Sequence, residues 1–148
     1  MKTCTFIGHK NASEKLEPIL KLTIQTLVLK GITKFYVGTH GSFDNMVQKI
    51  LTQLKLCYPQ IRYYVVLAYL PKTKDDTKDY FETIYPDGLE KVPLRFAITE
   101  RNKWMIKNSD YLVCYVNNPF SNANKFKEFA IKKGKQIINL QESNEVSI

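Results

Sequence analysis

The chain has 148 residues, a formal net charge of +8 and 44% hydrophobic content. This is about one domain's worth, long enough to bury a core without staples. No apolar run approaches the roughly 18 residues that span a bilayer, and Met1-Lys2-Thr3-Cys4-Thr5-Phe6 leads directly into a strand pattern rather than a signal peptide, so a cytoplasmic protein without a membrane partner is expected. The three cysteines, Cys4, Cys57 and Cys114, are odd in number, widely spaced and without a CxxC pair. They read as reduced core thiols.

Thr3 to Gly8 is a short run of β-branched and aromatic residues, read as the first strand. Asn11 with Glu14 three residues on has the spacing of a capping box. Ile19, Leu20, Thr23, Ile24 and Leu27 then share one helical face, with Pro18 placing the start near Glu17 and Gly31 ending the helix. Ile32 to Val37 is the second strand. The second helix runs from about Ser42 to Leu56 and closes before Pro59. Ile61 to Leu70 is a near-continuous apolar run, as expected of a strand covered on both faces. Residues 72–98 lack clear periodicity and carry the turn signal Tyr85-Pro86-Asp87-Gly88. A stretch of this kind reads as a flap or a surface excursion. Thr99 can cap a helix from Glu100 to about Asn108. Tyr111 to Val116 is the fourth strand, Ser121 opens a helix through Lys133, and Gln136 to Leu140 is the fifth strand. Strands alternating with helices imply a parallel sheet covered on both faces. The expectation is a Rossmann-like, doubly wound α/β domain spanning residues 1–148, with five parallel strands in the order 3-2-1-4-5.

Ligands of such sheets bind beyond the carboxyl ends of the strands, at the point where strand order reverses. That rule gathers Gly8-His9, the stretch Gly38 to Asp44, and Asn117 to Asn122 on one rim. The middle stretch, Gly38-Thr39-His40-Gly41-Ser42-Phe43-Asp44, couples the end of a strand to the start of a helix. This arrangement presents backbone N–H groups at the positive end of the helix, where a phosphate or carboxylate can sit. Ser42 is the expected N-cap. The same stretch would serve equally as a tight turn that binds nothing. The charge points to anionic partners. Part of it is local: Lys125, Lys127, Lys132, Lys133 and Lys135 stand against one Glu128 within residues 125–135. That run also fits a solvated helix face, and no arginine-rich run or basic–aromatic alternation argues for nucleic acid specifically. No His, Cys or Asp cluster has metal-ligand spacing. No GxSxG motif or Cys–His pairing marks a nucleophile. No metal and no cofactor are expected.

Several blocks resemble one family. Cys4-Thr5-Phe6-Ile7-Gly8-His9-Lys10 is similar to the opening "CFTGHR" of the YpsA-like branch of the SLOG superfamily. Val37 to Asp44 resembles its second-strand turn, and Val66-Leu67-Ala68-Tyr69-Leu70-Pro71 its third strand. Ile84 to Glu90 and Arg101-Asn102-Lys103-Trp104-Met105 with Ser109-Asp110-Tyr111 resemble further family blocks. The likeness covers nearly the whole chain, in order. It implies a Rossmann-like fold and a nucleotide-derived ligand. The superfamily includes the lonely-guy phosphoribohydrolases, the DNA-processing proteins of competence and sensor domains for ADP-ribose-type signals. Two departures bear on mechanism. The Gly-Gly pair common after the fourth strand is replaced by Ser121 and Asn122 in Pro119-Phe120-Ser121-Asn122-Ala123. The phosphoribohydrolase motif, laid from Pro119, puts Lys127 where its glutamate belongs, with Glu128 next door.

The expected ligand-binding residues are Gly8, His9, Lys10, Gly38, Thr39, His40, Gly41, Ser42, Phe43, Asp44, Arg101, Asn102, Ser121 and Asn122. Arg101 is the expected phosphate clamp, through paired N–H donors, although an ion pair with Asp87 or Glu90 would also occupy it. The lost glycines and the missing glutamate favour binding of a phosphate-bearing, nucleotide-derived small molecule over catalysis. The alternatives are a nucleoside-monophosphate phosphoribohydrolase, with Arg101 and an acid such as Glu100 or Asp44, and a single-stranded nucleic-acid binder. The rim and the exposed tyrosines are compatible with a homodimer.

Overall fold

The computed structural model describes residues 2–70 and 82–141. Its elements, in chain order, are β1 (Thr3–Gly8), α1 (Glu17–Leu29), β2 (Lys34–Val37), α2 (Gly41–Cys57), β3 (Arg62–Val66), β4 (Thr83–Ile84), α3 (Ala97–Lys107), β5 (Tyr111–Tyr115), α4 (Asn122–Lys132) and β6 (Gln136–Asn139). Short 3-10 turns occupy Glu14–Leu16, Leu89–Lys91 and Leu94–Phe96. All pairings are parallel and the strand order is β4-β3-β2-β1-β5-β6. The sheet therefore has six strands, not five. Thr83–Ile84 adds an edge beside β3, in register Val65 to Thr83 and Val66 to Ile84. It lies inside the stretch read as an irregular flap, of which residues 72–81 are outside the described residues. The remaining five strands keep the expected relative order, with β1 between β2 and β5.

Side chains alternate across the strands and sort the core into two layers. Cys4 and Phe6 of β1, Phe35 and Val37 of β2, and Tyr63 and Val65 of β3 pack with α1 and α2. Ile7, Tyr36, Leu112 and Cys114 point the other way, onto Met105 and Ile106 of α3 and Ala123 and Ala130 of α4. On α2 the buried apolar residues are Phe43, Met46, Val47, Ile50, Leu51 and Leu54, at spacings that build one continuous face. Each such side chain stabilises the fold by roughly 1.5–3 kcal/mol on burial.

Several boundaries differ from the sequence reading. The strand expected over Ile61 to Leu70 ends at Val66, because its partner β2 ends at Val37, opposite Val65. Beyond it Tyr69 and Leu70 are exposed. In place of an Asn11 capping box, the Ser13 side chain accepts from the Lys15 N–H. The N-cap of α2 is His40, not Ser42, and α3 starts at Ala97 without a side-chain cap from Thr99. Ser121 does cap α4, its Oγ accepting from the Asn124 N–H at 3.1 Å. Cys4 and Cys114 are buried as read, and burial pushes the Cys4 thiol far above its ordinary value, so it is inert. Cys57 is exposed at the end of α2. Among the described residues no helix is long and apolar enough to cross a membrane.

Candidate functional site

A cleft of about 820 Å³ opens at the carboxyl rim beside β1, where the strand order reverses. Of the expected ligand residues, Gly8, His9, Lys10, His40, Asp44, Arg101, Asn102 and Asn122 line it. Gly38, Thr39, Gly41, Ser42, Phe43 and Ser121 do not. Their positions explain why.

Gly38 lies beneath the cleft, between two charged groups. A Cβ there would stand 2.7 Å from Asp44 Oδ2 and 3.1 Å from the Arg101 guanidinium carbon. Gly41 has φ of +87°, and a Cβ on it would meet Lys10 Cα at 2.6 Å. The close approach that this glycine permits is therefore to the protein's own backbone. Next to it, the Ser42 N–H donates to the Lys10 carbonyl at 2.6 Å. The Ser42 hydroxyl contacts the Lys10 and Ala12 carbonyls at 2.9 and 2.8 Å. Asp44 Oδ2 accepts from the His40 N–H at 3.0 Å. Ser42 and the His40 N–H are thus committed to the chain itself, on either side of Gly41. Phe43 is fully buried against Gly8, where a Cβ would come within 2.3 Å of its ring.

Arg101 stands at the cleft floor and is 1% exposed. Its Nη1 donates to the Val66 carbonyl at 3.0 Å and to Thr39 Oγ1 at 3.3 Å, and its Nε to Asn102 Oδ1 at 2.8 Å. It therefore ties the first turns of α3 to the ends of β2 and β3. Burial lowers its pKa and Asp44 raises it again. Neither Asp87 nor Glu90 pairs with it; among the described residues the ion pairs are Lys49–Glu17 and Lys103–Glu100. Asp44 is itself 8% exposed. Burial raises its carboxyl to about 6, against the His40 N–H and the Arg101 charge, which lower it. A buried acid carried at net cost beside a buried cation in a cleft is the kind of arrangement found at functional sites. His40 is held toward neutrality by burial first, then by Arg101 and Lys10.

The other wall was not foreseen. Phe96, Ile98 and Thr99 around the start of α3, Lys103 on α3, and Lys125, Phe126 and Phe129 on α4 complete the lining. The lysines of residues 125–135 fit either an anionic partner or a solvated helix face, and Lys125 belongs to this wall with two phenylalanines. The signal was the spacing Asn122, Lys125, Phe126, Phe129, which puts all four on one stripe of a helix. Among the described residues Asp44 is the one carboxylate in the lining. Lys127, Glu128 and Glu100 lie off the cleft, and Glu100 instead pairs with Lys103 at 3.8 Å. A second cleft of about 430 Å³, lined by Asn11, Ser13, Tyr115, Asn117, Asn118 and Ser121, adjoins the first through His9. There His9 Nε2 accepts from the Asn117 N–H at 3.3 Å. Among the described residues no group of three His, Cys, Asp or Glu side chains is placed to hold a metal ion.

A parallel sheet of this order with a rim cleft at the reversal point defines a Rossmann-like α/β fold. Among solved structures the chain is similar to DNA processing protein A (DprA) from Streptococcus pneumoniae, with a TM-score of 0.69 and 16% identity. That match covers 93% of this chain and 49% of the pneumococcal one. It is also similar to DNA processing protein A from Helicobacter pylori, described for its single-stranded DNA binding mode. Here the TM-score is 0.64 and the identity 14%, covering 92% of this chain and 63% of that one. This chain therefore spans about half to two thirds of the length of these neighbours. No family model and no curated protein matches its sequence.

Proposed function

We propose that this chain binds single-stranded nucleic acid along its carboxyl rim, with a nucleotide unit seated in the 820 Å³ cleft. The carrying observation is the wall itself, where Lys10, Lys103 and Lys125 stand with Phe96, Phe126 and Phe129. Lysines meet backbone phosphates, and aromatic rings stack on bases whatever their identity, at about 1–3 kcal/mol per base. Lys10 and Lys125 are exposed, and Phe96 is 47% exposed on the same rim. The net charge of +8 has the sign such a ligand requires. The binding mode described for the Helicobacter neighbour supports this reading at the level of fold. Membership of the YpsA-like branch is likewise a proposal, resting on the sequence blocks.

A second reading has its own support. The buried Arg101 and Asp44 at the cleft floor suit a free, phosphate-bearing, nucleotide-derived small molecule, recognised through its charge and a ribose hydroxyl. The two readings share a ligand chemistry and differ in whether the nucleotide is part of a strand. Fluorescence anisotropy with a labelled twelve-residue oligothymidylate, competed by mononucleotides, separates them. The expected result is binding that weakens steeply with salt and is displaced by unlabelled oligonucleotide far better than by mononucleotide. Equal displacement by a mononucleotide transfers the site to the second reading, and no binding at low salt overturns the first.

A further inference from the structure

Beyond the cleft, three ammonium groups converge on one ring. Lys103, Lys107 and Lys133 place Nζ at 5.7, 6.0 and 5.5 Å from the Phe129 ring centroid. Lys107 and Lys133 are exposed and lie outside the cleft lining, whereas Lys103 and Phe129 belong to it. A cation near a helix carboxyl end is favoured by the helix dipole, and a cation over a ring is attracted to it. Those effects place Lys107 and Lys133 singly at the carboxyl ends of α3 and α4, but they do not offset the mutual repulsion of three charges gathered about one ring. The cluster has one acidic partner among the described ion pairs, Glu100, which takes Lys103 at 3.8 Å.

The geometry points to a phosphate track running from the rim cleft down the α3–α4 surface. Along α4 the residues Asn122, Lys125, Phe126, Phe129 and the C-cap Lys133 fall on one stripe. Opposite them Lys103 and Lys107 are four apart on α3 and share a face. Eleven residues of helix at 1.5 Å each give the stripe a length of about 16 Å. It begins at the cleft and ends at the lysine cluster. The occupant is the sugar–phosphate backbone leaving the cleft, so the inference rests on the single-stranded nucleic-acid reading and extends it to a second contact region.

The test compares wild type with the double variant Lys107→Gln/Lys133→Gln, neither position being part of the cleft. Probes are the twelve-residue oligothymidylate and a trinucleotide. For the longer probe the variant should bind roughly tenfold more weakly at low salt. Its log–log salt slope should be shallower by about 1.4, at 0.7 per lost phosphate contact on a single strand. Trinucleotide affinity should be unchanged, and Lys107→Arg/Lys133→Arg should restore the longer probe. An unchanged slope and affinity for the longer probe in the Gln variant would overturn the track while leaving the cleft reading intact. An equal loss for both probes would also overturn it, since the lysines would then act through the cleft. Wild type binding neither probe would remove the cleft reading and the track together.

Discussion

The two sides of the rim cleft carry different kinds of signal. On one side the glycine turn between β2 and α2 has the sequence of an anion cradle, yet its close approaches are to the chain itself. Gly41 fits against Lys10 and Gly38 between Asp44 and Arg101, while Ser42 bonds the Lys10 and Ala12 carbonyls. On the other side α3 and α4 carry no glycine turn, yet Lys103, Lys125, Phe126 and Phe129 line the cleft. Glycines report that something must come close. They do not report whether it is a ligand or a neighbouring strand end. An unremarked stripe of cations and rings on a helix can be the more open surface.

Breaking the first side should therefore cost stability before it costs binding. Gly41→Val puts a β-branched residue at φ +87° and drives its Cβ into the Lys10 backbone. Left-handed strain and overpacking each cost about 1–3 kcal/mol. The expected outcome is a loss of roughly 3 kcal/mol or more in denaturant unfolding. A melting temperature near wild type would reopen the turn as a ligand cradle.

Arg101→Ala comes next. It removes donors to Val66 and Thr39 and leaves the Asp44 carboxylate without its nearby cation. Unsatisfied buried groups cost about 1–3 kcal/mol each, so a loss of about 2–3 kcal/mol is expected by chemical denaturation. Arg101→Lys should recover part of it, because a single ammonium cannot reproduce the planar fork. No change in stability would mean that Arg101 is free to serve a ligand alone.

Asp44 sharpens the same contrast through pH. Its folded value of about 6 lies above the ordinary 3.8, so between those limits the folded chain holds more protons than the unfolded one. Its contribution to stability is then greatest below about pH 4, falls as pH rises toward 6, and is flat above, by roughly 2–3 kcal/mol at most. Asp44→Asn should flatten that region of the profile. An acid limb of the opposite sign would show that the Arg101 charge outweighs burial.

Legibility followed the range of the forces involved. β1, β2 and the α2 face were readable because the two β-branched and aromatic runs end at Gly8 and Gly38 and the residues from Phe43 to Leu54 repeat with helical spacing. The edge strand Thr83–Ile84 was not. Two residues carry no periodicity, and its existence depends on backbone bonds from Val65 and Leu67 to Glu82 and Ile84. At the site, the stretches gathered by the switch-point rule contribute Gly8, His9, His40, Asp44 and Asn122 to the cleft, because topology fixes where strand ends gather, while Lys10 came from the family block. Phe43 lies off the cleft instead, because its neighbour Gly8 makes room for the ring. The rule missed Phe96, Lys103 and Lys125, since an amphipathic pattern does not distinguish a cleft wall from a core face or a solvated one.

The most direct test of nucleic acid binding through the α3–α4 side is amide hydrogen exchange with and without the twelve-residue oligothymidylate. The account predicts slower exchange on binding around the start of α3 and along Asn122 to Phe129, with the Gly41 to Asn45 turn unchanged, its Ser42 N–H already donating to the Lys10 carbonyl. Protection confined to the Gly41 to Asn45 turn, or no protection anywhere under saturating oligonucleotide, would contradict it.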